Sequence, residues 1–179
     1  METIRSITIP SPVGALLLEG DESGLTSLRF VDGDRRLTPS GMLAGLGPLE
    51  EAAAQLAAYF AGERRDFEIA IHPTGTPFQL RVWSEVRRIP YGTNISYAEL
   101  ALRIDHPRAV RAVGAANGAN PIPIIVPCHR VIGSSGELTG YAGGLGIKRR
   151  LIALEREALQ TPSWRPTSPP TPEALVRPQ

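Results

Sequence analysis

Apolar residues in this chain follow two different periods. Thr3 to Ile9, Ala15 to Leu18 and Leu25 to Val31 are short runs rich in β-branched and apolar residues, separated by Pro10-Ser11-Pro12-Val13-Gly14 and by Asp21-Glu22-Ser23-Gly24. Such runs between turn formers predict three strands of an antiparallel meander. Asp32 to Gly47, rich in Gly, Pro and Asp, is expected to be a surface loop. From Pro48 to Ala61 the period lengthens: Leu49, Ala52, Ala53, Leu56, Tyr59 and Phe60 recur at helical spacing, with Pro48 near the start and Gly62 past the end. A second stripe follows Thr76-Pro77, on Phe78, Val82, Trp83, Val86 and Ile89, leaving Arg81, Glu85 and Arg88 outside it. Pro90-Tyr91-Gly92 ends that helix.

Shorter elements come next. Ser96 followed by Glu99 is a capping-box signature that opens a short helix through Tyr97, Ala98, Leu100 and Ala101. Ile104-Asp105-His106-Pro107 reads as the turn of a helix-turn-helix, with Pro107 in the first turn of a second helix reaching Asn117. Val110 and Val113 face inward in this reading, and Arg108 and Arg111 share one side. Ala109, Ala112, Gly114 and Ala115 leave a helix surface small enough to enter a narrow groove of a duplex, or to pack closely on another helix. Ile147 to Leu159 is the last predicted helix, with Leu151, Ile152, Leu154 and Ala158 inward and Lys148, Arg149 and Arg150 outward. Glu155 sits beside this apolar stripe, either paired in solvent with Arg149 or Arg156 or turned partly into the core. From Thr161 the chain is Pro-, Ser- and Thr-rich and is expected to be a flexible tail.

The expected class is therefore α+β, divided into an N-terminal α+β domain (1–76), a mainly helical domain (77–160) and the tail (161–179). Charge sharpens the division. Residues 1–76 carry six arginines against eleven acids, a balance of −5, whereas residues 77–150 carry ten basic residues against four acids, a balance of +6. A basic segment beside an acidic one suits a polyanionic partner for the former, though a solvated basic face would look the same. The sequence opens with no cationic-apolar signal region and holds no apolar run of membrane-spanning length, so a cytoplasmic protein that does not enter membranes is expected. One cysteine excludes a disulfide framework and a Cys-rich zinc cluster. His72 has no second ligand type near it and is expected to be a turn or surface histidine.

That cysteine, Cys128, lies between the run Ile124-Ile125-Val126-Pro127 and the pair His129-Arg130. A lone cysteine is often apolar filler. A thiol next to an imidazole and a guanidinium can instead be a nucleophile. Asn120-Pro121-Ile122-Pro123 leads stiffly into it, and Tyr141-Ala142-Gly143-Gly144 supplies small-residue lining with one aromatic, suited to a flat ligand. Redox relay lacks a second cysteine, and Cys-His hydrolysis lacks an imidazole placed across the site. A third reaction open to such a thiol is alkyl transfer from a nucleic-acid base to sulfur, because soft sulfur attacks saturated carbon well.

Pro127-Cys128-His129-Arg130-Val131 closely resembles the acceptor motif of the O6-alkylguanine-DNA alkyltransferases. Phe78-Gln79 with Val82-Trp83, Ile89-Pro90-Tyr91-Gly92, Ser96-Tyr97, Arg111-Ala112-Val113-Gly114, Asn117, Asn120-Pro121, Gly140 to Leu145 and Leu154-Glu155 resemble further family motifs in family order. The resemblance implies a ribonuclease-H-like first domain and a winged-helix-like second one. It implies single-turnover transfer of an alkyl group from O6 of guanine, and less well from O4 of thymine, to Cys128. His129 would draw the thiol proton through a water, and Glu155 would orient the imidazole. Tyr97 would crowd the 3′ phosphate of the target nucleotide and donate to guanine N3. Arg111 would fill the gap in the base stack, and Asn120 would buttress the turn before the cysteine. Arg108, Ala109, Ala112, Gly114, Ala115 and Arg130 would meet DNA, and Val131, Tyr141 and Ala142 would line the base pocket. The partner implied is double-stranded DNA carrying O6-alkylguanine, met through the minor groove by a monomer, with cooperative assembly on DNA left open; no cofactor and no metal are implied. Two departures, Thr93-Asn94 after the Tyr-Gly turn and Asp105-His106 between the two helices, leave the geometry of the DNA-facing helices open. Rival readings are a lesion-binding module without chemistry, against which Cys128 itself argues, and a sequence-specific regulator using the same helix-turn-helix.

Overall fold

The fold is seen in a computed structural model that describes residues 4–31 and 36–160. The expected strand start at Thr3, part of the Asp32–Gly47 loop and the Pro-rich tail lie outside the described residues. Strands β1 (Arg5–Ile9), β2 (Ala15–Gly20) and β3 (Leu25–Val31) form the expected antiparallel meander in the order β1-β2-β3. Its register aligns Ile9, Leu16 and Phe30 in one cross-strand row and Ile7, Leu18 and Leu28 in the next on the same face. Helix α1 (Pro48–Phe60) lays Leu49, Ala52, Ala53, Leu56 and Tyr59 into the buried core with them. The open edge of β1 is covered where Thr38 pairs with Thr8, Thr38 N–H donating to Thr8 O at 2.8 Å and Thr8 N–H to Thr38 Oγ1 at 3.0 Å.

Thr76 opens the next helix, its side chain and Gln79 forming a full capping box on α2 (Pro77–Arg87). Val82, Trp83, Val86 and Ile89 are buried as the stripe predicted, with Phe78 half-buried. Trp83 Nε1–H donates to Ala116 O at 2.7 Å and so pins α2 to the helix that carries Ala116. A two-stranded parallel pair, β4 (Ile95–Ser96) with β5 (Val131–Ile132), fixes the start of α3 (Tyr97–Arg103) beside the cysteine segment. At that start Ser96 Oγ accepts Glu99 N–H at 3.0 Å, while the Glu99 carboxylate turns away to Arg103 at 2.6 Å.

The second helix of the pair corrects its expected boundary. Helix α4 spans Val110–Gly118, not Pro107 onward. Asp105 takes a left-handed φ of 62° and Ala109 N–H donates to His106 O at 2.9 Å, so residues 106–109 are spent on a turn. Arg108 lies in that turn and Ala109 caps the helix. Helix α5 begins three residues earlier than expected and spans Gly144–Gln160.

The two domains meet through specific bonds. Leu28 N–H donates to Pro121 O at 2.9 Å, and the Phe30 ring lies 5.7 Å from Tyr141. Among the described residues no helix is long and apolar enough to cross a membrane.

Candidate active site

The chain between α4 and Cys128 folds around one amide side chain. Asn120 Nδ2 donates to Val126 O at 2.8 Å and Asn120 Oδ1 accepts Ile122 N–H at 3.0 Å, while Val126 N–H reaches back to Ile122 O at 2.9 Å. This tight loop puts Ile124 at a φ of 75°. A β-branched residue there stores strain of roughly 1–3 kcal/mol. Ile122, Ile124, Ile125 and Val126 are all buried, and that packing holds the loop in place. Pro127 then leads into a 3-10 turn, Cys128–Arg130.

Cys128 is 3% exposed. Burial pushes its thiol up to about 11, against the opposing effects of the Asn120 side chain and the Lys148 charge. Asn117 Nδ2 donates to Cys128 O at 3.3 Å, which ties the last turn of α4 to the cysteine backbone.

Beside the thiol lies a buried polar cluster centred on Glu155. Glu155 Oε1 accepts His129 Nε2 at 2.8 Å, Arg130 Nη2 at 2.9 Å and the Tyr59 hydroxyl at 2.9 Å. Its Oε2 accepts Arg130 Nε at 3.0 Å and the Gly92 N–H at 2.8 Å. Gly92 sits at φ 72°, a left-handed backbone conformation that favours glycine, and this turn aims its amide at the carboxylate. Burial alone would raise the Glu155 carboxyl, but the hydrogen bond from His129 and the bonds and charge of Arg130 hold it down at about 2. It is therefore ionised, with Arg130 as counter-ion. Burial pushes the His129 imidazole below its ordinary value, against the pull of Glu155. A neutral imidazole facing an ionised carboxylate carries its proton on Nε2, which leaves the Nδ1 lone pair free. His129 Nδ1 is buried and has no hydrogen-bond partner among the described residues.

The structure thus gathers Cys128, His129, Glu155, Asn120 and Val131 in one buried region. Arg130 is placed there too, and not on the surface as expected for a DNA contact. It is 5% exposed, with its donors committed to Glu155 and, at 2.6 Å, to Ile89 O. Lys148 is the second correction. It points inward, fully buried, its Nζ donating to Val131 O at 2.7 Å and Thr139 O at 2.9 Å and lying 5.8 Å from the Tyr97 ring centre. Two carbonyls and an aromatic face compensate its burial. Helical spacing carried this signal, because 148, 151, 152 and 155 are the buried positions of α5. The charge of Lys148 concealed it.

Tyr97 stands half-buried in a cleft of about 300 Å³ that it lines with Val110, Gly114, Gly118, Thr139 and Gly140, and Thr139 Oγ1 donates to its hydroxyl at 3.2 Å. Tyr141 is half-buried, its hydroxyl inside and without a hydrogen-bond partner among the described residues, and Ala142 is exposed. Arg108, Arg111, Ala112 and Ala115 stay on the surface around α4, away from the thiol cluster, and Gly114 is half-buried between. His72 is not part of any of this; its ring bonds Ser23 O at 3.2 Å. Among the described residues no group of three or more His, Cys, Asp or Glu is placed to hold a metal.

A helix-turn-helix with a bare, arginine-flanked surface, set against a buried thiol, an imidazole and an ionised carboxylate, defines a DNA-binding protein with chemistry at a cysteine. Sequence profiles agree: the 6-O-methylguanine DNA methyltransferase DNA binding domain matches residues 77–157, and the ribonuclease-like domain of the same proteins matches residues 4–73. The chain belongs to the 6-O-methylguanine DNA methyltransferase family. A methylated-DNA–protein-cysteine methyltransferase of Methanosarcina acetivorans is 50% identical over 146 residues, covering 81% of this chain and 94% of the relative. The Mycobacterium tuberculosis O6-methylguanine methyltransferase crystal structure has a TM-score of 0.77 at 48% identity, covering 90% of this chain and 96% of that one. A Mycobacterium tuberculosis OGT structure in complex with DNA has a TM-score of 0.74 at 49% identity over 84% and 92% of the two chains.

Proposed function

We propose that this chain repairs DNA by direct reversal, moving the alkyl group of O6-alkylguanine, and less well of O4-alkylthymine, to Cys128 Sγ once per molecule. The observation that carries the reading is the buried Cys128 beside a neutral His129 whose Nε2–H is committed to Glu155. With the thiol near 11, ionising it at pH 7 without help costs roughly 5 kcal/mol at about 1.4 kcal/mol per unit. His129 supplies that help: its free Nδ1 takes the proton through a water, and Glu155 balances the imidazolium that forms. The thiolate attacks the alkyl carbon, the C–O6 bond breaks, and the bonding pair leaves with guanine, which recovers a proton. Tyr97 donates to guanine N3 as charge develops there. The thioether has no hydrolytic exit, so the protein is consumed.

A base inside a duplex cannot reach a sulfur this deeply buried, so the nucleotide leaves the stack, which costs a few kcal/mol. In this reading α4 enters the minor groove, where its Ala and Gly surface permits close approach. Arg108 and the capping Ala109 sit against the backbone, Arg111 occupies the vacated stack, and Tyr97 crowds the 3′ phosphate. The alkylated base enters the cleft beside Tyr97, with Val131, Tyr141 and Ala142 as the pocket wall. The protein acts as a monomer in the cytoplasm, where the thiol stays reduced.

Intact mass after exposure to duplex DNA carrying O6-methylguanine tests the reaction and its stoichiometry together. Wild-type protein is expected to gain one methyl group per molecule and Cys128→Ser none. Wild-type protein of unchanged mass would sink the proposal.

A further inference from the structure

Tyr59 belongs to the N-terminal domain, ninety-six residues before Glu155 in the chain, yet its hydroxyl ends 2.9 Å from Glu155 Oε1. The side chain is fully buried. Its ring is fixed by Phe60 at 5.3 Å, Phe67 at 5.4 Å and Tyr91 at 5.9 Å between ring centres. Packing alone would be served by phenylalanine. A tyrosine delivers one donor to a carboxylate oxygen that His129 Nε2 also uses.

We propose that Tyr59 is a positioning residue of the alkyl-transfer relay: its hydroxyl shares Glu155 Oε1 with His129 and thereby weakens the hold of that carboxylate on an imidazolium. The N-terminal domain in this way tunes the base used by the other domain. The inference rests on His129 acting as the base in the proposed reaction. Donors that share one oxygen divide its charge, and Oε1 holds three, from His129, Arg130 and Tyr59. With Tyr59 in place less charge faces His129, the imidazole stays neutral to lower pH, and Nδ1 keeps the lone pair that takes the thiol proton. Other groups also face the pair. Arg130 comes from its own turn, Tyr91 and the Gly92 amide from the segment after α2, and Lys148 and Tyr141 from α5 and the loop before it. Arg65 lies 5.7 Å from the Tyr91 ring centre and Arg130 5.5 Å from it. Tyr59→Phe leaves all of these in place and removes one hydrogen bond.

The test is the pH profile of the single-turnover methyl-transfer rate, measured with the full chain and saturating O6-methylguanine duplex at fixed ionic strength. Protonation of His129 gives the wild type an acid limb. Tyr59→Phe is expected to move that limb upward by about half a pH unit or more. Site-specific 3-fluorotyrosine at position 59, a stronger donor of nearly the same size, is expected to move it downward, and it covers the case in which Tyr59→Phe folds poorly. Limbs that stay at the wild-type pH in both variants, with only the plateau or the melting temperature lowered, overturn the proposal and reduce Tyr59 to a packing residue. A wild-type profile without an acid limb removes His129 as the base, and this inference with it.

Discussion

The two domains bury different kinds of side chain. Among the described residues of the N-terminal domain the buried polar ones are Thr8, whose backbone bonds Thr38 at a sheet edge, and Gln55, whose side chain ties Glu68 to α1. In the C-terminal domain they are Asn117, Asn120, His129, Arg130, Lys148 and Glu155, and all six gather about Cys128 or the backbone next to it. The first domain is stable for the ordinary reason, that alternating and helical apolar positions leave water. The second gives up apolar core volume to hold a carboxylate, a guanidinium and an ammonium in fixed places. Buried charge is weak evidence of stability, and its partners are costly to remove. Such a cluster is therefore expected where geometry matters more than stability.

The sharpest way to break this contrast is Glu155→Gln. The change keeps volume but leaves the Arg130 charge buried without its counter-ion, a loss of roughly 3–5 kcal/mol by the usual cost of halving a buried pair. Denaturant unfolding measures it; a loss under about 1 kcal/mol would mean that the cluster does not carry charge as described. Acid dependence gives a second view. Folding holds Glu155 at about 2 against an ordinary 4.5, so its contribution is present above 4.5 and fades as pH falls toward 2. Folding also holds His129 below 6.5, so the unfolded chain takes that proton first, and stability falls as pH drops below 6.5. Both shifts make the folded protein acid-labile, and Glu155→Gln is expected to flatten the lower part of that decline.

Leu18→Ala tests the opposite side. Leu18 is fully buried on the sheet face that meets α1, and truncation is expected to cost about 2–5 kcal/mol. Methyl transfer per folded molecule is expected to stay near the wild-type rate, since a leucine side chain gives the cluster neither a hydrogen bond nor a charge. A specific rate that falls with stability would show the first domain supporting the site through its whole core, not through Tyr59, Phe30 and Leu28.

Arg111→Ala acts on neither core. The side chain is exposed on α4, and in the proposed reaction it fills the space of the extruded base. Its loss is expected to slow repair in duplex DNA roughly ten- to a hundredfold, part of the few kcal/mol that extrusion costs. Reaction with free O6-benzylguanine should change far less. Equal losses on the two substrates would remove Arg111 from the extrahelical step.

Legibility in the sequence follows the same division. The three strands and α1 were readable because one period and one set of turn formers decided each of them. Lys148 departs from expectation because residue type alone sends a charged side chain to solvent, and Arg130 because the DNA contact that the resemblance implies is replaced by buried partners. Lys148 was recoverable from the 148, 151, 152, 155 series. Arg130 was not, since its partners Glu155 and Ile89 O are remote in sequence. Helical spacing puts Tyr59 in the core, but nothing local tells a buried ring from one with a donor aimed at a carboxylate in another domain. The start of α4 differs from the sequence expectation because Pro107 suits a first helical turn as well as the turn that Asp105 and His106 set up.

The smallest expected effect separates the domains at the level of single helices. Helix α1, thirteen residues long, has no side-chain cap; Gly47 precedes it, and Leu49, Leu56 and Tyr59 hold it by burial. Helix α3 has seven residues, too few to persist by propensity, and buries only Leu100 and Ala101. The Ser96 bond to Glu99 N–H therefore matters more to α3 than any cap would to α1. Ser96→Ala is expected to cost about 1 kcal/mol, a melting shift of roughly 2–4 °C for a chain of this size. Ser96→Asp, which can accept the same N–H, should recover most of it. Because Tyr97 is the first residue of α3, fraying there is also expected to slow duplex repair more than reaction with free O6-benzylguanine. Ser96→Ala with an unchanged melting temperature would show β4 pairing with Val131, and not the cap, to be what fixes the start of the DNA-facing pair.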